Sequence, residues 1–474
     1  MNISSSTNIV QRQGSQNKPP PISYHDYIAT RANVKTSSGL QPIAYPTSLF
    51  DFQKPIVDWA LQRGRAALFM DTGLGKTACQ VHWAKSVNEQ TNGAVLLLAP
   101  LAVAAQTIRE AQMFGITIIK ADPEDTSPQG LVITNYEHLQ KFSPELFAGL
   151  VLDEYSIMKG LNGKTRAMIQ GFGDKVEYKL SCTATPSPND FMELGTQSEF
   201  LGVMKQSEML AMYFTHDSAR TSKWRLKGHA KERFFEWMAS WAVVLKNPRD
   251  IGFNGDAYDL PPLNHHEYIV GEQSMSDKEL ESAGLQIRGQ IRKESMQERC
   301  EKVADIVAGI PGDEQVLIWC NLNDESKLLT ELIDNAVEVK GADKPEHKEK
   351  SLIGFQDNEI KRLISKPRIA GFGLNLQSCN QMVFTGLSDS WEQYYQAVRR
   401  VWRFGQQRPV DIHVVSHANE GRTVANIKRK DEDNNELSTR MRKKASAVFA
   451  ADIAASTYDH TEYTANLTPD FPLL

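Results

Sequence analysis

The feature that most constrains the fold is a glycine-bearing turn near residue 71. Residues 66–70 are apolar and predict a short buried strand, and residues 78–86 follow a helical pattern. The turn between them reads Asp71, Thr72, Gly73, Leu74, Gly75, Lys76 and Thr77. A strand, a glycine turn, Lys-Thr and a helix together describe a P-loop, in which backbone N–H groups cradle phosphates at the N-terminus of a helix.

The P-loop predicts ATP and Mg²⁺ as ligands. Lys76 is expected to reach the β- and γ-phosphates, and Thr77 to offer its hydroxyl to Mg²⁺. Met70 stands where the commonest form of the pattern has its first glycine. An ordinary glycine turn is the alternative, but the strand, the turn and the helix all fall where phosphate binding needs them. We therefore assign residues 71–77 to cofactor binding.

Apolar runs alternate with helical patterns along most of the 474 residues, which are enough for two or three domains. Such runs suit parallel strands buried on both faces, so the predicted fold class is α/β with two parallel-sheet domains. The predicted parts are a polar and partly disordered N-terminal arm at 1–48, a first lobe at 49–190, a helical bridge or insert at 191–262, a second lobe without its own P-loop at 263–418, and a charged helix and tail at 419–474.

Composition limits the partners and the location. The net charge is −5, so a surface that binds nucleic acid must be local. Five cysteines without C-x-x-C spacing argue against a zinc knuckle or a disulfide framework and fit a reducing cytosol. The N-terminus shows no secretory signal, and the most apolar run, 94–105, is broken by Pro100. We expect a cytoplasmic protein that does not enter a membrane.

The pair Asp153 and Glu154 ends an apolar run and is the expected partner of the P-loop. An aspartate at the end of such a strand holds Mg²⁺, and the adjacent glutamate can orient and deprotonate an attacking water. A lone Asp-Glu pair after an apolar run is common. Downstream of a P-loop, on a strand of the same predicted sheet, it predicts metal binding by Asp153 and catalysis by both residues.

A basic cluster lies late in the second lobe. Arg400 and Arg403 are three residues apart and share a helical face. Arginines set against a γ-phosphate stabilise charge in the transition state, so both are candidate catalytic residues. A basic solvated helix face is the alternative. The aromatic bridge also carries basic residues such as Lys223 and Arg225, and it either packs as a helical flap or contacts nucleic acid.

Together these stretches resemble a superfamily-two helicase motor of the Swi/Snf type, from about residue 49 to residue 415. The matching stretches are Gln53 for the Q motif, 71–77 for motif I, 99–101 for Ia, 134–137 for Ib, 153–156 for II, 181–186 for III, 316–321 for IV, 371–377 for V and 396–406 for VI. The ending Arg403, Phe404, Gly405 and Gln406 is similar to the Arg-Ile-Gly-Gln of the Swi/Snf group and is the most group-specific signal.

The resemblance implies two RecA-like domains with ATP in the cleft between them, and hydrolysis coupled to movement along DNA, with double-stranded DNA favoured. It implies that Gln53 contacts adenine and that Gly373 and Gln396 belong to the nucleotide site. The residues it implies for nucleic-acid contact are Pro100, Asn135, Tyr136, Ser365 and Lys366. Protein partners are possible. Compact chains like this one resemble phage-encoded members, which would place it in the host bacterial cytoplasm.

Two positions depart from the family pattern. Motif II reads Asp-Glu-Tyr-Ser rather than Asp-Glu-Ala-His, which keeps both acids but loses the usual histidine. Arg399 replaces the usual glycine of motif VI. The remaining alternatives are an RNA helicase, a scaffold that binds nucleic acid without hydrolysis, and the motor subunit of a restriction or nuclease assembly.

Overall fold

A computed structural model describes residues 39–41, 45, 49–159, 163–187, 191–216, 224–276, 285–370, 375–388 and 390–420, and shorter stretches up to residue 449. These described residues belong to one compact unit. Nearly all of the predicted N-terminal arm, 1–48, lies outside the described residues. So does much of the predicted helix and tail beyond residue 420.

The first sheet has seven strands, and all of its strand pairs are parallel. Its strands are β1 (Arg65–Met70), β2 (Ala94–Leu98), β3 (Ile118–Lys120), β4 (Leu131–Thr134), β5 (Phe147–Leu152), β6 (Tyr178–Thr183) and β9 (Ala242–Leu245), in the order β3-β4-β2-β5-β6-β1-β9. The central strands are buried along nearly their whole length. This burial explains the continuous apolar sequence of β2, because helices cover both faces of a parallel sheet, whereas β6 is buried although it carries Lys179 and Ser181.

The helices of the first sheet begin with one that precedes β1 in the chain, and the others lie between later strands. They are α1 (Gln53–Arg63), α2 (Lys76–Thr91), α3 (Leu101–Met113), α4 (Gly163–Gly173), α5 (Glu193–Phe200), α6 (Gln206–Tyr213) and α7 (Lys231–Ala239). An antiparallel pair, β7 (Phe214–His216) with β8 (Trp224–Leu226), stands apart from the sheet. We call the first sheet with its helices the first lobe.

The second sheet has six strands, again all parallel. They are β10 (Leu263–Val270), β11 (Val316–Trp319), β12 (Ala336–Val339), β13 (Arg362–Ser365), β14 (Gln381–Thr385) and β15 (Val410–His417), in the order β10-β15-β14-β11-β13-β12. The helices of this second lobe are α8 (Leu285–Glu294), α9 (Met296–Ala308), α10 (Asn323–Leu332), α11 (Pro345–Gln356), α12 (Pro367–Ala370) and α13 (Trp391–Val398).

Alternate residues of the second sheet enter two different cores. Leu317 and Trp319 of β11 pack on one face, and Val316 and Ile318 pack on the other. Both faces are therefore buried, as the apolar run predicts. The two parallel sheets confirm the predicted α/β fold class. The domain boundaries themselves stay a prediction.

Four strands were not predicted, namely the pair β7 and β8, the strand β9 and the strand β10. The segment 191–262 was expected to be a helical bridge, yet its strand β9 pairs with β1 inside the first sheet. An apolar run of four residues among aromatic side chains cannot be told from a helix by its pattern. Strand β10 was also missed, because it pairs only with β15 at the sheet edge and carries a polar sequence, with Asn264, His265 and Glu267 exposed.

The aromatic side chains of the segment 191–262 pack mainly on one another. Phe234 lies 5.4 Å from Tyr213 and 5.5 Å from Trp237 between ring centroids, and Trp237 lies 5.3 Å from Trp241. These contacts favour the packing interpretation for the aromatics. Of the two basic residues predicted there, Arg225 is exposed on β8, and Lys223 lies outside the described residues. Among the residues that the structure describes, no helix has the length and apolar character that a membrane crossing requires.

Candidate active site

The P-loop connects β1 to α2 as predicted. Gly73 and Gly75 have φ angles of +88° and +73°, a region that favours glycine. Helix α2 begins at Lys76, so its first N–H groups point into the loop where phosphates would bind. The Nζ of Lys76 donates a hydrogen bond to the carbonyl of Met70 at 2.9 Å. Thr77, the second residue of the helix, is half-buried at the same place.

Close neighbours also require glycine at both positions. A Cβ atom at Gly73 would lie 2.7 Å from the Cβ of Phe404, which belongs to the second lobe. A Cβ atom at Gly75 would lie 2.1 Å from the Nε2 of Gln53. Contacts below 3.0 Å are essentially not seen for real Cβ atoms. The P-loop is therefore fitted tightly between α1 on one side and the second lobe on the other.

Gln53 braces the P-loop from the start of α1. Its side chain is buried, its Nε2 donates to the carbonyl of Leu74 at 2.9 Å, and its Oε1 accepts from the N–H of Phe50 at 3.1 Å. The structure thus brings the predicted Q-motif residue to the P-loop, where it fixes the loop backbone. Its contact with adenine stays a prediction.

Asp153 and Glu154 follow β5 at the same edge of the sheet. The Oδ1 of Asp153 accepts from the Nε2 of Gln80 in α2 at 2.7 Å and from the N–H of Glu154 at 3.0 Å. Burial raises the pKa of Asp153 to about 6, because a charged carboxylate loses its water there. A neighbouring cation would favour the charged form again.

These residues fit a Mg²⁺ ion of the kind that ATP carries. Among the described residues no group of three or more His, Cys, Asp or Glu could hold a metal. Mg²⁺ in phosphate-transfer sites needs no such group, because one or two protein oxygens, substrate phosphates and waters complete its octahedron. Asp153 and Thr77 are the two protein oxygens that this site offers.

Glu154 has a strained backbone and a fixed side chain. Its φ angle is +53°, which is unusual for a residue with a side chain and is concentrated at functional sites. Its Oε1 accepts hydrogen bonds from the hydroxyls of Ser156 at 2.6 Å and Thr183 at 3.0 Å. The carboxylate of the predicted base is therefore oriented by its neighbours.

A chain of hydrogen bonds continues from Glu154 to the second lobe. The N–H of Thr185 donates to the hydroxyl of Thr183 at 3.0 Å, and the hydroxyl of Thr185 donates to the Oε1 of Glu392 at 3.0 Å. Thr183 and Thr185 belong to the stretch that resembles motif III, and Glu392 lies on α13. We call these four residues, Glu154, Thr183, Thr185 and Glu392, the relay. Sequence reasoning had not identified Glu392.

The two predicted arginines follow α13, which ends at Val398, so they lie in the turns beyond the helix and do not share the predicted helical face. Burial and the neighbouring Arg403 lower the pKa of Arg400 to about 10, while Glu154 and Asp153 act in the opposite direction. Arg400 is thus within electrostatic reach of both motif II acids across the lobe boundary. Burial likewise lowers the pKa of Arg403 to about 10, and Glu110 of α3 opposes that shift.

The other two predicted nucleotide residues have different outcomes. Gln396 is buried on α13, one turn before Arg400. Gly373 lies outside the described residues. Lys76 and Thr77 begin α2, whose Gln80 donates to Asp153, and Asp153 and Glu154 act on the pKa of Arg400; the joint role of these residues stays a prediction.

Comparison with known proteins bears on the second lobe. Residues 298–405 match the family model of the helicase conserved C-terminal domain. The match confirms the predicted helicase resemblance of this lobe and includes the stretches that resemble motifs IV, V and most of VI. A solved structure described as "Sulfolobus solfataricus SWI2/SNF2 ATPase core in complex with dsDNA" is similar at 18% identity and a TM-score of 0.40, covering 86% of this chain and 98% of that chain. No curated protein sequence matches the chain.

Three of the residues predicted to contact nucleic acid have their side chains turned into the protein. Tyr136 is buried, and its hydroxyl donates to the backbone carbonyl of Asp153 at 2.6 Å. The Oδ1 of Asn135 accepts from the N–H of His138 at 2.9 Å and caps a short 3-10 helix. The hydroxyl of Ser365 donates to the carbonyl of Val339 at 2.8 Å. These side chains therefore brace the two lobes from within, and their contact with nucleic acid stays a prediction.

The remaining two predicted contacts are more accessible. Lys366 is half-buried at the end of β13, and its Nζ donates to the Oδ1 of Asn323 at 2.6 Å near the surface. Pro100 is half-buried and precedes the first residue of α3. Both stay candidates for contact with the nucleic-acid backbone.

Proposed function

We propose that the chain is an ATP-dependent DNA translocase or helicase of the Swi/Snf type, with ATP hydrolysed between the two lobes. The observation that carries the proposal is the position of Arg400. It comes from the helicase-type second lobe and directly follows Arg399, which forms an ion pair with Asp71 of the P-loop, and Asp153 and Glu154 act on its pKa. A P-loop, two acids and an arginine supplied across a cleft are the parts that phosphoryl transfer needs.

Each residue has a role in this mechanism. Lys76 and the N–H groups at the start of α2 bind the β- and γ-phosphates. Glu154 orients the attacking water and accepts its proton, and Ser156 and Thr183 fix the carboxylate for that step. Thr77 and Asp153 would hold Mg²⁺, which would supply positive charge against the negative charge that develops on the phosphates. Arg400 and Arg403 stabilise the charge on the transferred group.

The proposal of DNA as the track is supported by the motif VI stretch. Its Arg403, Phe404, Gly405 and Gln406 are similar to the ending of the DNA-translocating group. The net charge of −5 means that phosphates must be bound by a local strip. Arg225 and Lys366 are candidate members of that strip. Contacts of this kind read the backbone rather than the bases, so little sequence preference is expected.

The first experiment compares ATP hydrolysis with double-stranded DNA, single-stranded DNA, branched DNA and RNA. We expect the largest stimulation with double-stranded DNA, and the Lys76→Ala variant gives the background rate. Stimulation should fall steeply with added salt, because each phosphate contact releases counterions. Stimulation by RNA alone would favour an RNA helicase and contradict the proposal.

The second experiment asks whether strands are separated. Displacement of a third strand from a triplex reports tracking along a duplex, and unwinding of a forked duplex reports strand separation. We expect efficient triplex displacement and little unwinding. Efficient unwinding without triplex displacement would contradict this expectation. Hydrolysis that needs an added nuclease subunit would favour the motor of a restriction or nuclease assembly.

A further inference from the structure

Asp71, the first residue of the P-loop, is bound mainly by the second lobe. Its Oδ2 forms an ion pair with the Nη2 of Arg399, and its Oδ1 accepts from the hydroxyl of Tyr395 at 2.7 Å. The remaining bond to its side chain is local, from the N–H of Thr72 at 2.7 Å. Two side chains of the second lobe, four residues apart in the chain, therefore converge on one carboxylate of motif I.

The charges of this pair are buried. Asp71 is 9% exposed and Arg399 is 5% exposed. Burial alone would raise the pKa of Asp71, but the Arg399 guanidinium and the Tyr395 hydroxyl outweigh it, and the pKa falls to about 2. Losing one partner would leave the other as a buried, uncompensated charge. The pair therefore resists any movement that separates the two lobes.

Arg399 is positioned by its own lobe before it reaches Asp71. Its guanidinium carbon lies 4.9 Å from the ring centroid of Trp402 and 5.6 Å from that of Tyr395. Its Nη1 donates to the carbonyl of Trp402 at 3.2 Å, and the Tyr395 ring stacks on Trp391 at 4.9 Å. Aromatic stacking and a planar fork hold an arginine in one orientation in a way that a lysine cannot reproduce.

The contact between Asp71 and Arg399 matters because both residues lie close in the chain to predicted catalytic residues. Arg399 directly precedes Arg400, and Asp71 lies five residues before Lys76. The contact thus joins the segment that binds phosphates to the segment that supplies the arginines. The close approach of Phe404 to Gly73 belongs to the same surface. Since Arg399 stands where the resembling family has glycine, this contact is specific to chains that carry the arginine.

We propose that Arg399, with Tyr395, is a positioning residue that latches Asp71 and thereby sets the distance between the P-loop and Arg400 when the lobes close. We call Asp71, Tyr395 and Arg399 the latch. The effect on hydrolysis rests on the proposed function, whereas the effect on lobe closure does not. The latch acts through Arg400 and Lys76.

Lobe closure can be measured without hydrolysis. All five native cysteines are buried, so the pair Lys120→Cys and Glu331→Cys, at exposed positions of the two lobes, can be labelled selectively for energy transfer. We expect Arg399→Ala to lower the transfer efficiency in the absence of ATP and DNA. Unchanged efficiency would overturn the latch, even if the protein proved to hydrolyse no ATP.

The matched control is another ion pair between the lobes. Arg109 of α3 and Glu349 of α11 are 3.2 Å apart, but their side chains are 62% and 61% exposed. Exposed pairs contribute little, so Arg109→Ala should leave both closure and hydrolysis unchanged. An equal loss in Arg109→Ala and Arg399→Ala would show that any interlobe contact matters, and the specific role of the latch would be wrong.

Kinetics then separate positioning from folding. We expect Arg399→Ala to lower kcat at least tenfold with a KM for ATP within threefold of the wild type, because the P-loop itself is intact. Tyr395→Phe, which keeps the ring, should give a smaller loss in the same parameter. The double variant Asp71→Asn, Arg399→Gln restores a neutral hydrogen-bonding pair and should be more active than either single variant. Additive losses in this cycle would overturn the latch.

Discussion

Removing the hydroxyl of Thr185 tests whether the relay couples the two lobes. The Thr185→Val variant keeps the shape of a side chain that is 2% exposed but loses its 3.0 Å hydrogen bond to the Glu392 carboxylate. A hydrogen bond to a charged group contributes about 1.5–3 kcal/mol. Glu392 is half-buried, so the lower end, about 1.5 kcal/mol, applies. That loss corresponds to about tenfold in rate if closure precedes hydrolysis.

The assay is steady-state ATP hydrolysis at saturating DNA, together with ATP binding measured on the same preparation. We expect a tenfold fall in kcat with ATP affinity unchanged, because the P-loop contacts are not touched. Thr107→Val is the matched control, since Thr107 is also 2% exposed and its hydroxyl donates to Val103 within one helix of the first lobe. A Thr185→Val rate within twofold of both the control and the wild type would refute the coupling role of the relay.

Three further predictions concern catalysis and stability. Lys76→Ala should nearly abolish hydrolysis, because it removes the positive charge that contacts the phosphates. Glu154→Gln should bind ATP without turnover, because it removes the base, and rapid turnover in this variant would contradict the assignment. Tyr136→Phe should lower the free energy of unfolding by about 1 kcal/mol and leave DNA affinity unchanged, since the hydroxyl braces motif II rather than DNA. Arg299→Met should lower the free energy of unfolding by about 3–5 kcal/mol in chemical denaturation, because it leaves the Glu325 carboxylate, which is 0% exposed, without its ion-pair partner. The control Lys327→Ala, at an exposed ion pair, should lower it by under about 1 kcal/mol, and equal losses would refute the argument.

Much of the fold could be predicted because most strands are buried on both faces. Residues 94–98 and 316–319 are apolar throughout, and each became a central strand of a parallel sheet. The edge strand β10 could not be recognised in the same way. Its outer edge faces no other strand and its sequence alternates little, so its pairing with β15 depends on contacts far away in the chain.

The residues of the candidate site likewise fall into those that a local sequence pattern predicts and those that depend on contacts distant in the chain. Lys76 and Thr77 were predictable because a P-loop is a local pattern, in which turn, glycine and helix follow one another in the chain. The ion pair of Asp71 with Arg399 joins residues 328 positions apart, and nothing local to either residue signals it. The departure of Arg399 from the family pattern was the only sign in the sequence that something differs there.

Side-chain direction was the hardest property to predict. Tyr136 and Ser365 were predicted to contact nucleic acid, but both side chains turn inward and donate to a backbone carbonyl. A resemblance in sequence assigns a position along the chain. Whether a side chain faces solvent depends on the strands and turns around it, because buried carbonyls need donors.

The pairing of strand β9 with β1 determines which fragments of this chain keep the first sheet complete. The N–H of Ala67 donates to Trp241 and the N–H of Asp71 to Leu245, both at 2.9 Å, so the strand that leads into the P-loop has its outer side covered by residues from the far end of the bridge. A fragment that ended at residue 190 would lack that cover and present β1 as a bare edge. Unpaired parallel edges recruit strands from other molecules, so such a fragment would self-associate. The shortest stretch that closes the first sheet extends through Leu245. Proteolysis within the bridge would divide the two lobes into unequal pieces, and β9 would stay with the first lobe because it pairs with β1.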